Sequence, residues 1–206
     1  MNQIKIEEGI VTNISFSHKI NNINYYEMTV ITKNSNGKES LIPIKYKEFD
    51  NKLYTVGSRV TCWGQLRTYS QKLEDGKNKV SLYVLTNFQE EPSCFDPEVE
   101  LFSSSVTIDG VICTIQPLRI LDSGRCNIHF TLANNITVND HKYNSYIPCI
   151  AWGSLAKFIS NLQVGTKLKV VDSELRSREY IKHTDNEDEI HLCHELYLKK
   201  VIPEIE

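Results

Sequence analysis

Apolar and polar positions alternate with a period of two through most of the chain, most plainly over Tyr146–Trp152. Ile147, Cys149 and Ala151 fall on one side and Tyr146, Pro148, Ile150 and Trp152 on the other, as in a strand with one buried face. The period then lengthens. Leu155, Phe158, Ile159 and Leu162 form the single apolar stripe of a short helix, with Ser154 at the N-cap position and Gly165 closing the helical region. Another strand runs from Lys167 to about Tyr180. Its opening, Lys167–Val171, carries an extra residue and requires a bulge if Val171 and Leu175 are both to face inward.

Upstream, strands are predicted over residues 4–16 and Tyr25–Thr32, the latter with Tyr26, Met28 and Val30 inward, and an Asn21-Asn22 turn between them. Asn34-Ser35-Asn36-Gly37 is a hairpin turn, because Asn and Gly tolerate positive φ. Leu41–Lys47 is a third strand, and Phe49, Leu53 and Tyr54 suggest a helical turn or two. Strands over Arg59–Ser70 and Val80–Phe88 follow, joined by an Asp75-Gly76 turn.

The second half repeats this plan. Gly110–Ile115 echoes Gly9–Ile14, Ile147-Pro148 echoes Ile42-Pro43, and Gly165-Thr166 through Leu175-Arg176-Ser177 echoes Gly57-Ser58 through Leu66-Arg67-Thr68. Markers in the same order indicate two copies of one five-stranded unit. The join falls near Glu91–Pro97, where two prolines and several acids interrupt the strand pattern. Residues 1–92 are therefore expected to form one domain, 93–100 a linker and 101–206 a second domain. Five strands with a helix between the third and fourth is the order of the OB-fold, a Greek-key barrel. The predicted fold is all-β: two tandem OB barrels, each with a short helix between strands three and four.

Charge narrows the function. Residues 1–92 hold 12 Lys+Arg against 10 Asp+Glu, and residues 93–206 hold 11 against 16, so neither half is the basic stripe expected of a duplex binder. Single strands remain open, because stacking on rings carries much of that affinity. The sequence opens without a signal-like apolar run, no stretch is long enough to span a bilayer, and the six cysteines show no C-x-x-C pairing, so a reducing cytoplasmic setting is expected. Cys62, Cys113 and Cys149 fall on inferred core faces.

The second half resembles the bacterial single-stranded DNA-binding (SSB) family through Phe130–Asn134, Tyr146–Gly153, Leu155-Ala156 and Leu175–Tyr180. The first half resembles it more loosely, through Gly57–Val60 and Gly64–Tyr69. The resemblance implies outward rings on strand three, here Tyr146 and Trp152, and a basic-aromatic cluster ending strand four, here Arg176, Arg178 and Tyr180. It also implies a role in replication or recombination. Family members commonly end in a Gly/Pro/Gln-rich tail with an acidic tip, whereas this sequence closes on Ile202–Glu206, which points to a specialised version serving a plasmid, phage or other mobile element.

Alternation supports a binding face in the first half as well. Val60, Cys62, Gly64 and Leu66 take one side of strand four, while Thr61, Trp63, Gln65, Arg67 and Tyr69 take the other with no acid among them. Lys45 and Tyr25 extend that patch. The competing reading makes Trp63 a plug at the barrel end and Tyr69 an edge residue. Asp172 and Glu174 precede the second cluster, so charge favours the first barrel as binder and family motif the second. His129 reads as a solvated outward histidine. His191-x-Cys193-His194 splits across two strand faces with no second ligand cluster, so neither metal nor cofactor is expected. The Asp185–Glu189 run reads as a solvated loop, and no phosphate loop, G-x-S-x-G or H-E-x-x-H is present.

The expected function is sequence-nonspecific binding of single-stranded DNA, without catalysis, with RNA as an alternative strand. Rings at Trp63, Tyr69, Tyr146, Trp152 and Tyr180 stack bases, and Lys45, Arg67, Arg176 and Arg178 meet phosphates. Two barrels per chain imply a homodimer of four, or a monomer that carries two. The rival of another class is a protein–protein adaptor of a replication or conjugation complex, joined through its sheet edges.

Overall fold

Strands β1 (Asn2–Ile20), β2 (Ile23–Lys33), β3 (Glu39–Lys47), β4 (Arg59–Lys72) and β5 (Asn78–Gln89) make the first barrel of the computed structural model. β1 pairs β2, β2 pairs β3, β3 runs parallel to β5, β5 pairs β4, and β4 returns to β1. β6 (Ser105–Ile115), β8 (Cys126–Val138), β9 (His141–Trp152), β10 (Lys167–His183) and β11 (Asp188–Tyr197) close the second barrel in the same order, with β9 parallel to β11. Two short strands, β7 (Arg119–Ile120) and β12 (Lys200–Pro203), lie against β8 and β10. The structure describes residues 1–48, 54–72, 76, 78–89, 103–138, 141–183 and 188–203. The helical turn expected around Phe49 and Leu53, the join near Glu91–Pro97 and most of the Asp185–Glu189 run lie outside them. Among the described residues no helix is long and apolar enough to cross a membrane.

The repeat has a hydrogen-bonding basis. Gly57 donates its N–H to Val11 O at 2.8 Å while Val11 donates to Ser58 O at 2.9 Å; Gly165 and Ile112 repeat this, with Thr166, at 2.8 and 2.9 Å. Both glycines have positive φ, +91° and +97°, which this loop requires. Gly9 and Gly110 are matched for a steric reason: a Cβ at either would lie 2.3 Å from Val30 Cγ1 or 2.6 Å from Leu132 Cγ. β1 and β6 each shift register just beyond that glycine, between Val11 and Asn13 and between Ile112 and Thr114.

Helix α1 (Gly153–Ser160) sits between β9 and β10 as expected, but starts earlier than the sequence suggests. Its N-cap is Trp152, with extended backbone and no side-chain cap, so Ser154 lies inside the first turn. Gly153 at φ +59° lets the chain turn directly from strand to helix. The buried stripe consequently uses Ala156 and Ile159, and Phe158 is exposed. Gly165 shapes the following loop rather than ending the helix. The β10 bulge is present between Val170 and Ser173, with Asp172 at φ +48°. It places Leu168, Val170 and Leu175 inward and leaves Val171 half-buried. Cys62 and Cys149 lie in the cores, and Cys113 is half-buried. Burial pushes the Cys62 thiol up to about 12 and raises Cys149 as well, so these thiols are packing groups.

The barrels are fused into one sheet. Asn2–Lys5 of β1 pairs antiparallel with Ser105–Ile108 of β6, while β4 and β10 flank this pair. Buried Asn2 donates Nδ2 to Leu66 O and Asn134 Oδ1 and accepts from Leu66 N–H, each at 2.9 Å. Ser104 does the same for Leu175, the repeat-mate of Leu66: its Oγ accepts from Leu175 N–H at 2.9 Å and donates to Leu175 O at 3.3 Å. Flanking contacts obey the same pseudo-twofold. Leu41 of β3 donates its N–H to Ser177 Oγ at 2.9 Å, and Tyr146 of β9 donates to Thr68 Oγ1 at 3.0 Å. Asn2→Ala would strand the backbone groups of Leu66 in a buried seam. We expect a loss of about 1–3 kcal/mol, read as a lower urea midpoint with an unchanged m-value.

Candidate nucleic-acid interface

Outward residues of one barrel meet residues of the other in two adjoining grooves. The groove on the second barrel has a volume of about 460 Å³. β8 and β9 supply His129, Ile150 and Trp152; β10 and β11 supply Arg176, Arg178, Glu195 and Tyr197; Arg119 enters from β7. Its remaining wall belongs to the first barrel, where the β2–β3 turn brings Asn36, Lys38 and Glu39. Trp152 also borders a second hollow with Arg125 and Lys157, and the Arg125 guanidinium stands 5.0 Å from the indole centroid. Two rings and several cations thus line these adjoining hollows, together with the Glu39 and Glu195 carboxylates. Arg178 is 55% exposed and 3.7 Å from Glu195, while His129 lies 3.8 Å from the same carboxylate.

The groove on the first barrel, about 530 Å³, is lined by Lys45 of β3, Tyr69 of β4 and Tyr83 of β5. The β10–β11 arm of the second barrel completes it with Tyr180, His191 and Leu192. Tyr180 stacks on His191 with ring centroids 5.5 Å apart, and Tyr69 is 58% exposed. Lys45 lies 4.8 Å from the Tyr83 ring but is tied to Glu27 at 2.8 Å, a bond that holds the Glu27 carboxyl below its ordinary pKa. Tyr25 lies on the same sheet, flat against His18 with centroids 4.8 Å apart and opposite Lys47 in register. The two grooves share a wall: Arg178 and Tyr180 are successive outward residues of β10, one in each groove.

Four of the predicted residues, Tyr25, Lys45, Tyr69 and Tyr180, are thus gathered on or beside the first groove, and Trp152, Arg176 and Arg178 on the second. Three others are placed differently. Trp63 is half-buried over the β1–β6 seam beside Lys5, whose Nζ is 5.5 Å from its ring, so it faces neither groove. Tyr146 is exposed at the β4–β9 seam. Arg67 faces away from its own core, but the second barrel covers that side, leaving it 8% exposed. There it donates to Gln65 Oε1 at 2.7 Å and lies 5.4 Å from the Tyr143 ring, a joint residue more than a free phosphate hook.

Arg176 is the repeat-mate of Arg67 and is held likewise, over the Tyr197 ring at 3.5 Å and against Glu174, the counterpart of Gln65. Glu174 is fully buried, bound by Arg176, by Lys199 at 2.6 Å and by Ser35 N–H at 3.2 Å. Burial raises its pKa, and the hydrogen bonds from Lys199, Arg176 and Ser35 outweigh that and hold it below the ordinary carboxylate value. Glu174, one of the two acids that precede the second cluster, is therefore neutralised in the joint. His194 donates Nε2–H to Leu41 O at 2.8 Å, and burial lowers its pKa, so it ties β11 to β3 across the joint. Among the described residues no group of three or more His, Cys, Asp or Glu is placed to hold a metal.

The sequence reading missed Arg119, Arg125, Lys38, Tyr83 and His191. Arg119 and Arg125 bracket the loop entering the second strand of their barrel, one of the loops through which OB barrels take ligands; loop position was the available signal. Lys38 gave none, because it reaches the other barrel's groove.

Closed five-stranded barrels with rings and cations on their outer walls define a tandem OB-fold protein. Residues 103–201, which span the second barrel, match the Single-strand binding protein family. The fold of the entire chain is shared with the single-stranded DNA binding protein from Thermus aquaticus. The wild type and a deletion mutant of that protein each align with TM-score 0.72 and 15% identity, over 100% of this chain and 94% and 95% of theirs. No curated protein matches the chain by sequence.

A carboxylate with a depressed folded pKa stabilises above its unfolded pKa and loses that contribution as pH falls through the folded value. Glu174→Ala should cost about 3–5 kcal/mol in urea unfolding at pH 7. Glu174→Gln should reduce the fall in melting temperature that the wild type shows below about pH 4.

Proposed function

We propose that this protein binds single-stranded DNA with little sequence preference, in replication, recombination or the maintenance of a mobile element. The observation that carries this reading is the pair of grooves sharing the β10–β11 wall, where rings and cations succeed one another at strand spacing. A ligand with unpaired bases and a phosphate at every step fits that pattern, because each base has a face to stack and each phosphate a cation to meet. Trp152, Tyr69 and Tyr180 serve as stacking rings, with Tyr25 extending the first groove. Arg178 and Lys45 meet phosphates, and Arg176, held by Glu174, shapes the groove floor. Tyr146 and Trp63 stand outside the grooves and contribute where a strand wraps past the seams.

We read the site as one for binding rather than catalysis, the role that grooves lined by rings and cations support. The family assignment and the cysteine usage support a cytoplasmic setting, and two chains assembling four barrels is the oligomer we infer. The sheet-edge adaptor has little to work with, because both described barrels close on themselves and β1 and β6 pair with each other.

Titration with oligo-dT should quench tryptophan fluorescence, with affinity falling as salt rises. Trp152→Ala should weaken binding by about 5- to 150-fold, the worth of one stacked base (about 1–3 kcal/mol). Competition by oligo-U measures the preference for DNA. Unchanged affinity in both Trp152→Ala and Tyr180→Ala would reject the groove reading.

A further inference from the structure

The second barrel's groove is incomplete without the first barrel. The β2–β3 turn does not reach over its own barrel's groove; it crosses to the other and brings Asn36 and Lys38 to the wall facing Trp152 and Arg178. Its conformation is fixed locally by Gly37 at φ +82° and by Lys38 N–H donating to Asn36 Oδ1 at 3.1 Å. Its position is fixed from the other barrel. Ser35 N–H donates to the buried Glu174 carboxylate at 3.2 Å, and Arg176 Nη2 donates to Ser35 Oγ at 3.1 Å. Leu41 and Ser177 then bind the outgoing strand. At the pseudo-equivalent place in the first barrel stands neutral Gln65, so this charged anchor belongs to one side of the molecule.

We infer that the Asn34–Lys38 turn is a cross-barrel clamp: Lys38 binds the phosphate backbone of the single strand lying in the second barrel's groove, and Glu174 is the positioning residue that docks it. The inference rests on the single-strand reading of that groove and adds to it a contact made by the other repeat. Lys38 is exposed and opposite Trp152's wall, so a strand stacked there has bases toward the indole and phosphates toward the turn. Arg119 and Arg178 supply the neighbouring cations, and the turn adds the one that the second barrel's own strands do not provide.

The test is salt-dependent titration of the full chain with oligo-dT. Lys38→Ala should lower affinity about two- to fivefold, as for a partly exposed ion contact, and make the slope of log affinity on log salt shallower by about 0.7. Lys38→Arg should retain the slope. Glu174→Gln should weaken binding and flatten the slope as Lys38→Ala does, and the double variant should be no worse than the stronger single one. Should Trp152→Ala weaken binding while Lys38→Ala leaves affinity and slope unchanged, the clamp is overturned and the groove stands. Should neither variant alter binding, the groove reading fails and the clamp with it. Additive effects in the double variant would reduce Glu174 to a stabilising group. Lys38→Glu, at an exposed position that does not threaten folding, repeats the test with reversed charge and should weaken binding more than Lys38→Ala.

Discussion

Everything in this molecule hangs on the short antiparallel ladder between β1 and β6. A closed barrel ordinarily has no free edge, but the opening residues of β1 and β6, paired on one side with β4 and β10 of their own barrels, run past the reach of β2 and β8 and pair with each other on the other side. That makes β4, β1, β6 and β10 a continuous sheet and sets the two repeats about a pseudo-twofold. Asn2 and Ser104 then occupy matched places, each satisfying the backbone of a repeat-mate leucine on the neighbouring strand. Such side chains add modest energy when satisfied and cost more when removed, which makes them register pins.

Fusing two copies in this way covers part of each outer wall with the other copy. Arg67 and Arg176 show the consequence: the same residue at the same step of the same strand is buried in the first barrel and half-buried in the second, in each laid on a tyrosine and tethered two residues back. The difference between Gln65 and Glu174 breaks the symmetry. A neutral amide on one side asks only for a hydrogen bond, whereas a buried carboxylate requires full compensation and draws Arg176, Lys199 and the Ser35 amide around it. Charge demand thereby pulls a hairpin of one barrel over the groove of the other.

The same local view resolves the charge argument. Counted by halves, the second domain is the more acidic, and that count pointed toward the first barrel as the binder. Counted by position, Glu174 is spent inside the joint and Lys45 is engaged by Glu27, while Arg119, Arg178 and Lys38 stand around the second groove against Glu39 and Glu195. A strand within a Debye length of the groove responds to those nearby charges far more than to the total.

The sequence by itself determined the elements that depend on neighbours along the chain. Period-two alternation over Tyr146–Trp152, the glycines at 57 and 165 and the repeat they mark, the β10 bulge, and the outward placement of Trp152, Tyr69, Arg178 and Tyr180 were all legible, because strand geometry alone assigns a side chain to a face. Whether an outward face meets solvent was not legible. Arg67, Trp63 and Tyr146 point outward as the alternation says, yet two lie partly or wholly under the other barrel and the third beside it. The cap of α1 was misplaced for a related reason, since Gly153 begins the helix directly off the strand and no polar cap is called for. Only the tertiary structure decided which outward residues share a groove, because that depends on a seam between segments about 100 residues apart, whose pairing leaves no periodic trace in either one.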